Sequence, residues 1–196
     1  MRTTLKKLQS GLFILSILFL FASCSKDKST DTSGVNTLTA TIKYGGQTIT
    51  FNGNGDSSVV TYGTIRSMGQ TYFSMIGNER NSQKQILFMM SPFSGKAGNY
   101  DLSVGITDDS LAMGVIYMKG ENNGTEKDAF GTYLETNNGD VIRGSGFLHI
   151  TSLANNRIEG TFEMILHNYD ENSGVSEEMT VSEGRISLPA IKADID

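Results

Sequence analysis

Three kinds of side chain in this 196-residue chain are of types that could do chemistry: one cysteine, two histidines and 21 carboxylates. Cys24 is the single thiol, so no internal disulfide can form and the sulfur is left as a nucleophile. It closes the run Phe21-Ala22-Ser23-Cys24. A metal centre needs clustered ligands. His149 and His167 are expected on the outward face of neighbouring strands, about six residues apart, or roughly 20 Å at ~3.3 Å per residue. One ion cannot reach both, and each reads as a surface polar residue. The acidic turns Asp108-Asp109-Ser110 and Asp170-Glu171-Asn172 lack the Asp-x-Asp-x-Asn-Gly spacing of an EF-hand loop. No Gly-x-Ser-x-Gly elbow presents a serine. Glu159 and Glu163 project on one strand face and are expected to pair in solvent with Arg143 and Arg157. Two carboxylates alone can hydrolyse a glycoside, so a carboxylate-based hydrolase is the remaining catalytic alternative. The expectation is no catalytic residue, no cofactor and no metal.

The elements that must carry these residues begin with a leader. Arg2, Lys6 and Lys7 precede an apolar run from Gly11 to Ala22, and no acid occurs before Asp27. Twelve residues fall short of the ~20 that span a bilayer. The layout is that of a cleaved export signal. Its end, Phe21-Ala22-Ser23-Cys24, resembles the lipobox of bacterial lipoproteins, with Phe21 in place of the usual leucine. The resemblance implies that the Cys24 thiol receives a diacylglycerol and that the chain is cut just before it. Stable anchoring takes two or more acyl chains, each buried methylene contributing about 0.8 kcal/mol. The following Ser25-Lys26-Asp27-Lys28 resembles charged stretches of Bacteroidota-type surface lipoproteins. The expected location is the outer membrane, on its periplasmic side or at the cell surface.

The domain boundaries follow. Residues 1–23 are the signal peptide, 24–36 a lipidated flexible tether, 37–191 a single all-β domain and 192–196 a C-terminal tail. Three of the 16 basic residues lie in the leader, so 13 face 21 acidic ones and the net charge is −8. Such a balance excludes nucleic acid as a partner, because phosphate binding depends on clustered Lys and Arg. The expected partners are the membrane, through the lipid on Cys24, and a glycan or a protein.

Beyond Asn36 the chain alternates apolar and polar residues between Gly- and Asn-rich turns, the period-two pattern of half-buried strands. Strands are expected around Leu38–Ile42, Thr48–Phe51, Val59–Ile65, Thr71–Gly77, Gln85–Ser91, Tyr100–Val104, Leu111–Met118 and Ala129–Glu135. Gly45-Gly46 makes a hairpin turn. Near the end, a three-residue loop Ala154-Asn155-Asn156 would set Leu148 opposite Phe162 and Ile150 opposite Gly160. The last strand should run from Met179 to Leu188, bulged at Gly184 and stopped by Pro189. About ten short strands without a sustained helical stripe give an antiparallel β-sandwich or β-barrel.

The mature chain is rich in methionine, an adaptable lining for apolar pockets. Met75, Met89 and Met113, with Phe73, Phe88 and Tyr117, could floor a lipocalin-like cavity for a small apolar ligand. The C-terminal pattern Gly146-Phe147-Leu148-His149-Ile150-Thr151, Ile158-Glu159-Gly160-Thr161-Phe162 and Thr180-Val181-Ser182-Glu183-Gly184-Arg185-Ile186 resembles the ends of small Bacteroidota outer-membrane lipoproteins. It implies an exported β domain. Asp109-Ser110-Leu111 resembles the O-glycosylation site of such proteins. The leading expectation is a lipid-anchored, non-enzymatic binding or accessory module. The calycin-like carrier and the hydrolase are its rivals.

Overall fold

The computed structural model describes residues 36–53, 58–79, 84–107, 109–118, 129–136, 138–170 and 175–196. The expected signal peptide, Cys24 and the expected tether up to residue 35 lie outside them. No helix occurs among the described residues. The strands are β1 (Thr37–Tyr44), β2 (Gln47–Asn52), β3 (Val59–Ile65), β4 (Gln70–Asn78), β5 (Gln85–Ser91), β6 (Gly98–Asp101), β7 (Gly105–Ile106), β8 (Leu111–Tyr117), β9 (Ala129–Gly131), β10 (Tyr133–Glu135), β11 (Val141–Arg143), β12 (Ser145–Ala154), β13 (Arg157–Asp170) and β14 (Val175–Lys192).

The long pair β13–β14 is the spine. The order β2-β1-β14-β13-β12-β6 extends it into one layer of six strands. A second layer, β3-β4-β5-β8-β9, joins the spine at both ends: β3 at Ala190–Lys192 of β14, and β9 at His167 of β13. Those attachment points lie at opposite ends of the spine, since His167 faces Glu178. The second layer therefore crosses the spine diagonally, and hydrogen bonds close a circuit through β14, β3, β4, β5, β8, β9 and β13. β7 pairs with β8, and β10 and β11 form a separate two-stranded ribbon.

Inward residues of both layers make the core. Ile158, Phe162, Met164 and Leu166 of β13 are buried, alternating with exposed Glu159, Thr161, Glu163 and Ile165. Phe162 meets Phe88 of the opposite layer edge-on, ring centroids 5.0 Å apart, and Tyr44 meets Phe130 at 4.8 Å. Phe93 bridges Phe73 and Tyr100. Each fully buried side chain of this size contributes about 1.5–3 kcal/mol.

The expected pairing of Leu148 with Phe162 and Ile150 with Gly160 is present. It arises differently. Asn155 and Asn156, at φ 53° and 56°, form a two-residue type I′ turn between Ala154 and Arg157. A bulge between Ile150 and Ser152 then restores the register that a three-residue loop would have produced.

Four expectations are corrected. The strand expected over Tyr100–Val104 is Gly98–Asp101, because the Asp101 carboxylate accepts from the Ser103 backbone N–H and hydroxyl and turns the chain. The strand over Ala129–Glu135 breaks at buried Thr132, whose hydroxyl donates to Leu102 O and accepts from Gly114 N–H. Pro189 does not stop β14, which runs to Lys192. Pro189 faces Arg157 of β13 and sits between the end of the β1 pairing at Ser187 and the start of the β3 pairing at Ala190, so its missing N–H interrupts neither of those two ladders. The sheet is also not wholly antiparallel, since β14 and β3 pair in parallel.

Candidate binding face

The residues expected to floor an apolar cavity are divided by the second layer. Phe73 is paired with Met90, and Met75 with Phe88; these side chains point inward and are buried. Ser74 is paired with Met89, and Met89 with Met113, which places both methionines on the other face of the layer. Tyr117 shares that outer face and is 41% exposed. The inward three are packed into the aromatic core, so the six do not line one space.

A concave feature lies on the outer face of the six-stranded layer, where β14 bulges. Before the bulge Met179 and Val181 point inward; after it Gly184, Ile186 and Leu188 do. One extra residue between Val181 and Gly184 accommodates that change of parity. Both neighbours register it: Phe162 faces Gly184 while Met164 faces Val181, and Thr39 faces Arg185 while Thr41 faces Ser182. Gly184 was expected as the bulge, and it is the residue that lets the backbones close up. A β-carbon there would sit 2.4 Å from Phe162 O. The left-handed residue is Glu183, at φ 54°. This conformation is uncommon for a residue with a side chain and costs on the order of 1 kcal/mol.

The bulge opens a groove of about 500 Å³. Ala40, Phe162 and Gly184, the inward-facing positions, contribute to its lining between the outward residues; Thr39, Thr41, Thr50 and Thr161 supply hydroxyls, and Glu163, Glu183 and Arg185 supply charge. The Thr41 hydroxyl donates to Glu183 Oε2 at 2.9 Å. The arrangement offers hydrogen-bond donors and acceptors from threonine hydroxyls, two carboxylates and a guanidinium. The signal that could have found it is the parity change between Val181 and Ile186, with a glutamate at the extra position.

Other chemistry-bearing residues are spread out. His149 bonds Asn99, and His167 lies 3.5 Å from the Ser176 hydroxyl. They sit at separate register positions, opposite Thr161 and Glu178. No group of three metal-ligating side chains occurs among the described residues. Arg143 and Arg157, expected to pair in solvent with Glu159 and Glu163, are engaged with neutral groups. Arg143 donates to the Ser103 and Val104 carbonyls and covers the Tyr133 ring at 5.4 Å. Arg157 donates to the Ser187 hydroxyl and carbonyl and to Asn36. Ion pairs among the described residues include Arg66–Asp194, Arg66–Asp196 and Lys84–Glu79. Ser110 shares hydrogen bonds with Thr107 in an exposed turn. Of the acidic turns, Asp108, Glu171 and Asn172 lie outside the described residues. Phe147 is 58% exposed on the outer face, opposite Glu163 on one side and Asp101 on the other.

Compared with family models, characterised proteins and solved structures, the chain matches none.

Proposed function

We propose that this protein is an exported, lipid-anchored binding module, without catalysis of its own, that holds hydroxyl-rich glycan chains in the groove at the β14 bulge. The lipid on Cys24 attaches it to the outer membrane, and residues 24–36 tether the domain at the periplasmic side or the cell surface. One observation carries the reading: Glu183 occupies a strained left-handed conformation at the groove. Strain of that kind clusters at functional sites. Threonine hydroxyls and carboxylates can exchange hydrogen bonds with sugar hydroxyls, and exposed Phe147 on the same face can lie against the apolar side of a sugar ring.

A small apolar ligand inside the closed strand circuit is the second reading, and the circuit itself is what favours it. Such a ligand would have to displace Phe88 and Phe162 from contact, so the outer groove is preferred. The test is affinity electrophoresis of the full-length protein through gels containing a soluble neutral β-glucan, a mannan or a starch. At least one should retard the wild type. Glu163→Ala should weaken that retention about tenfold, as loss of a charged hydrogen bond does. Retention of neither protein, or equal retention of both, removes the glycan reading. Intact mass of the membrane-extracted protein, with Cys24→Ala as control, tests the anchor separately.

A further inference from the structure

The hairpin β1–β2 leaves β2 as an edge strand, with no strand among the described residues paired to its far side. Gly45 and Gly46, at φ 56° and 74°, make a type I′ turn, so Tyr44 and Gln47 form a hydrogen-bonded pair. Alternation along the ladder then fixes the rest. Ile49 and Phe51 bond to β1, as does Gly53, whose N–H reaches Leu38 O at 2.7 Å. Thr48, Thr50 and Asn52 direct their N–H and C=O groups away from β1. The Asn52 N–H is taken by Glu79 Oε1 at 3.0 Å. Among the described residues the N–H and C=O of Thr48 and Thr50 have no partner. Unpaired edges are templates for further strands and are commonly blunted by Lys, Pro or a bulge. None of these occurs from Gln47 to Phe51.

We infer that this edge is an interaction surface for a second copy of the chain, joined by antiparallel pairing of β2 with itself about a two-fold axis at Ile49. The window is closed at one end by the Gly45-Gly46 turn and at the other by Glu79. The five residues Gln47–Phe51 between them are centred on Ile49. Self-pairing about that centre sets Thr48 opposite Thr50 of the second copy, and Thr50 opposite its Thr48. These are the two residues whose groups face outward, so both become hydrogen-bonded pairs and four bonds form. Ile49 meets its counterpart in the non-hydrogen-bonded pair between them. Thr–Thr and Ile–Ile neighbours across strands are favourable, and no charge lies in the window to oppose them. The closed symmetry leaves no free β2 edge to propagate a fibre. Thr50 also lines the groove, so two grooves would lie on one continuous face. The inference itself needs no ligand.

The test uses the full-length chain in membranes. Cα atoms of a non-hydrogen-bonded pair lie about 4.5 Å apart, within disulfide range. Ile49→Cys should give a disulfide dimer of twice the chain mass on mild oxidation. Thr151→Cys, an exposed control on β12, and the wild type with only Cys24 should not. Adding Thr50→Pro to Ile49→Cys should abolish the cross-link, because the proline removes an outward N–H and no bond to β1. Thr48→Lys with Thr50→Lys is a second disrupting pair should the proline disturb folding, which resistance to protease reports. The inference is overturned by absence of the dimer, by equal cross-linking at Thr151, by a dimer that survives both disruptions in folded protein, or by a cross-linked product of another mass.

Discussion

Glu183 carries a conformational cost that glycine would not. A left-handed glutamate is strained by about 1 kcal/mol, and glycine occupies that region freely. In a chain of this size 1 kcal/mol is about 2–4 °C of melting temperature. Glu183→Gly also removes the bond from the Thr41 hydroxyl, which is exposed and contributes little. The substitution is therefore expected to hold the melting temperature or raise it by up to about 4 °C, while retention on the glycan that binds wild type falls. Differential scanning fluorimetry and affinity electrophoresis on the same samples decide it. A clear drop in melting temperature would mean that Glu183 serves the fold and not the groove. Gly184 beside it has the opposite constraint, since any β-carbon there meets Phe162 O and the Phe162 ring.

At the scale of elements, β4 is tied across β3 to the chain end. Gly63 lies opposite Tyr72. Because Gly63 has no side chain, the Tyr72 hydroxyl reaches Ala193 O at 2.8 Å. Burial, and then the nearby Asp194 carboxylate, hold the Tyr72 hydroxyl above its ordinary pKa of 10.0. The unfolded chain thus gives up this proton first as pH rises. Stability from this group is whole below about pH 10 and is lost as pH climbs through the higher folded value. Tyr72→Phe should lower stability at pH 8 by about 1 kcal/mol, the worth of one hydrogen bond, and should flatten the alkaline loss. Urea midpoints from pH 8 to 11 test this; parallel curves for the two proteins would show that Tyr72 does not set the slope. The same scale shows what the sequence makes legible. The inward set on β13 was readable because Ile158, Phe162, Met164 and Leu166 keep strict parity. The bulge was readable from Gly184, although parity between Val181 and Ile186 locates it better. Residue type alone groups Met75 with Met89, yet pairing puts them on opposite faces, and that pairing is set by β4 against β5. The break at Thr132 depends on a hydroxyl bonding Leu102 and Gly114, both distant in sequence. Nothing local announces it.

For the whole domain, closure of the strand circuit rests on a short contact that includes residues 192–196, expected from sequence to be a tail. Beyond Lys192 the chain keeps following β3. Ala193 N–H donates to Tyr62 O, Ile195 N–H to Thr64 O, and Arg66 N–H to Ile195 O. The Thr64 N–H bonds the Asp194 carboxylate at 3.1 Å. Gly63 permits this approach, as a β-carbon there would lie 1.9 Å from Ala193 O. The Arg66 ion pairs with Asp194 and Asp196 are exposed and add little. Ending the chain after Lys192 removes these bonds and also the entropy cost of ordering four residues. The net loss is expected to be about 1–3 kcal/mol. Its location is the sharper readout. Amide exchange should accelerate at Thr64 and Arg66, and then along Ala190–Lys192 as the parallel pairing with β3 loosens. The β12–β13 ladder, on the far side of the spine, should keep its protection. Local loosening would mean that the two layers hold together through the core without this seam. Exchange rising together in β12, β13 and β3 would mean that the seam makes the closed circuit one cooperative unit. Unchanged protection at Thr64 and Arg66 would show that the tail does not hold β3 at all.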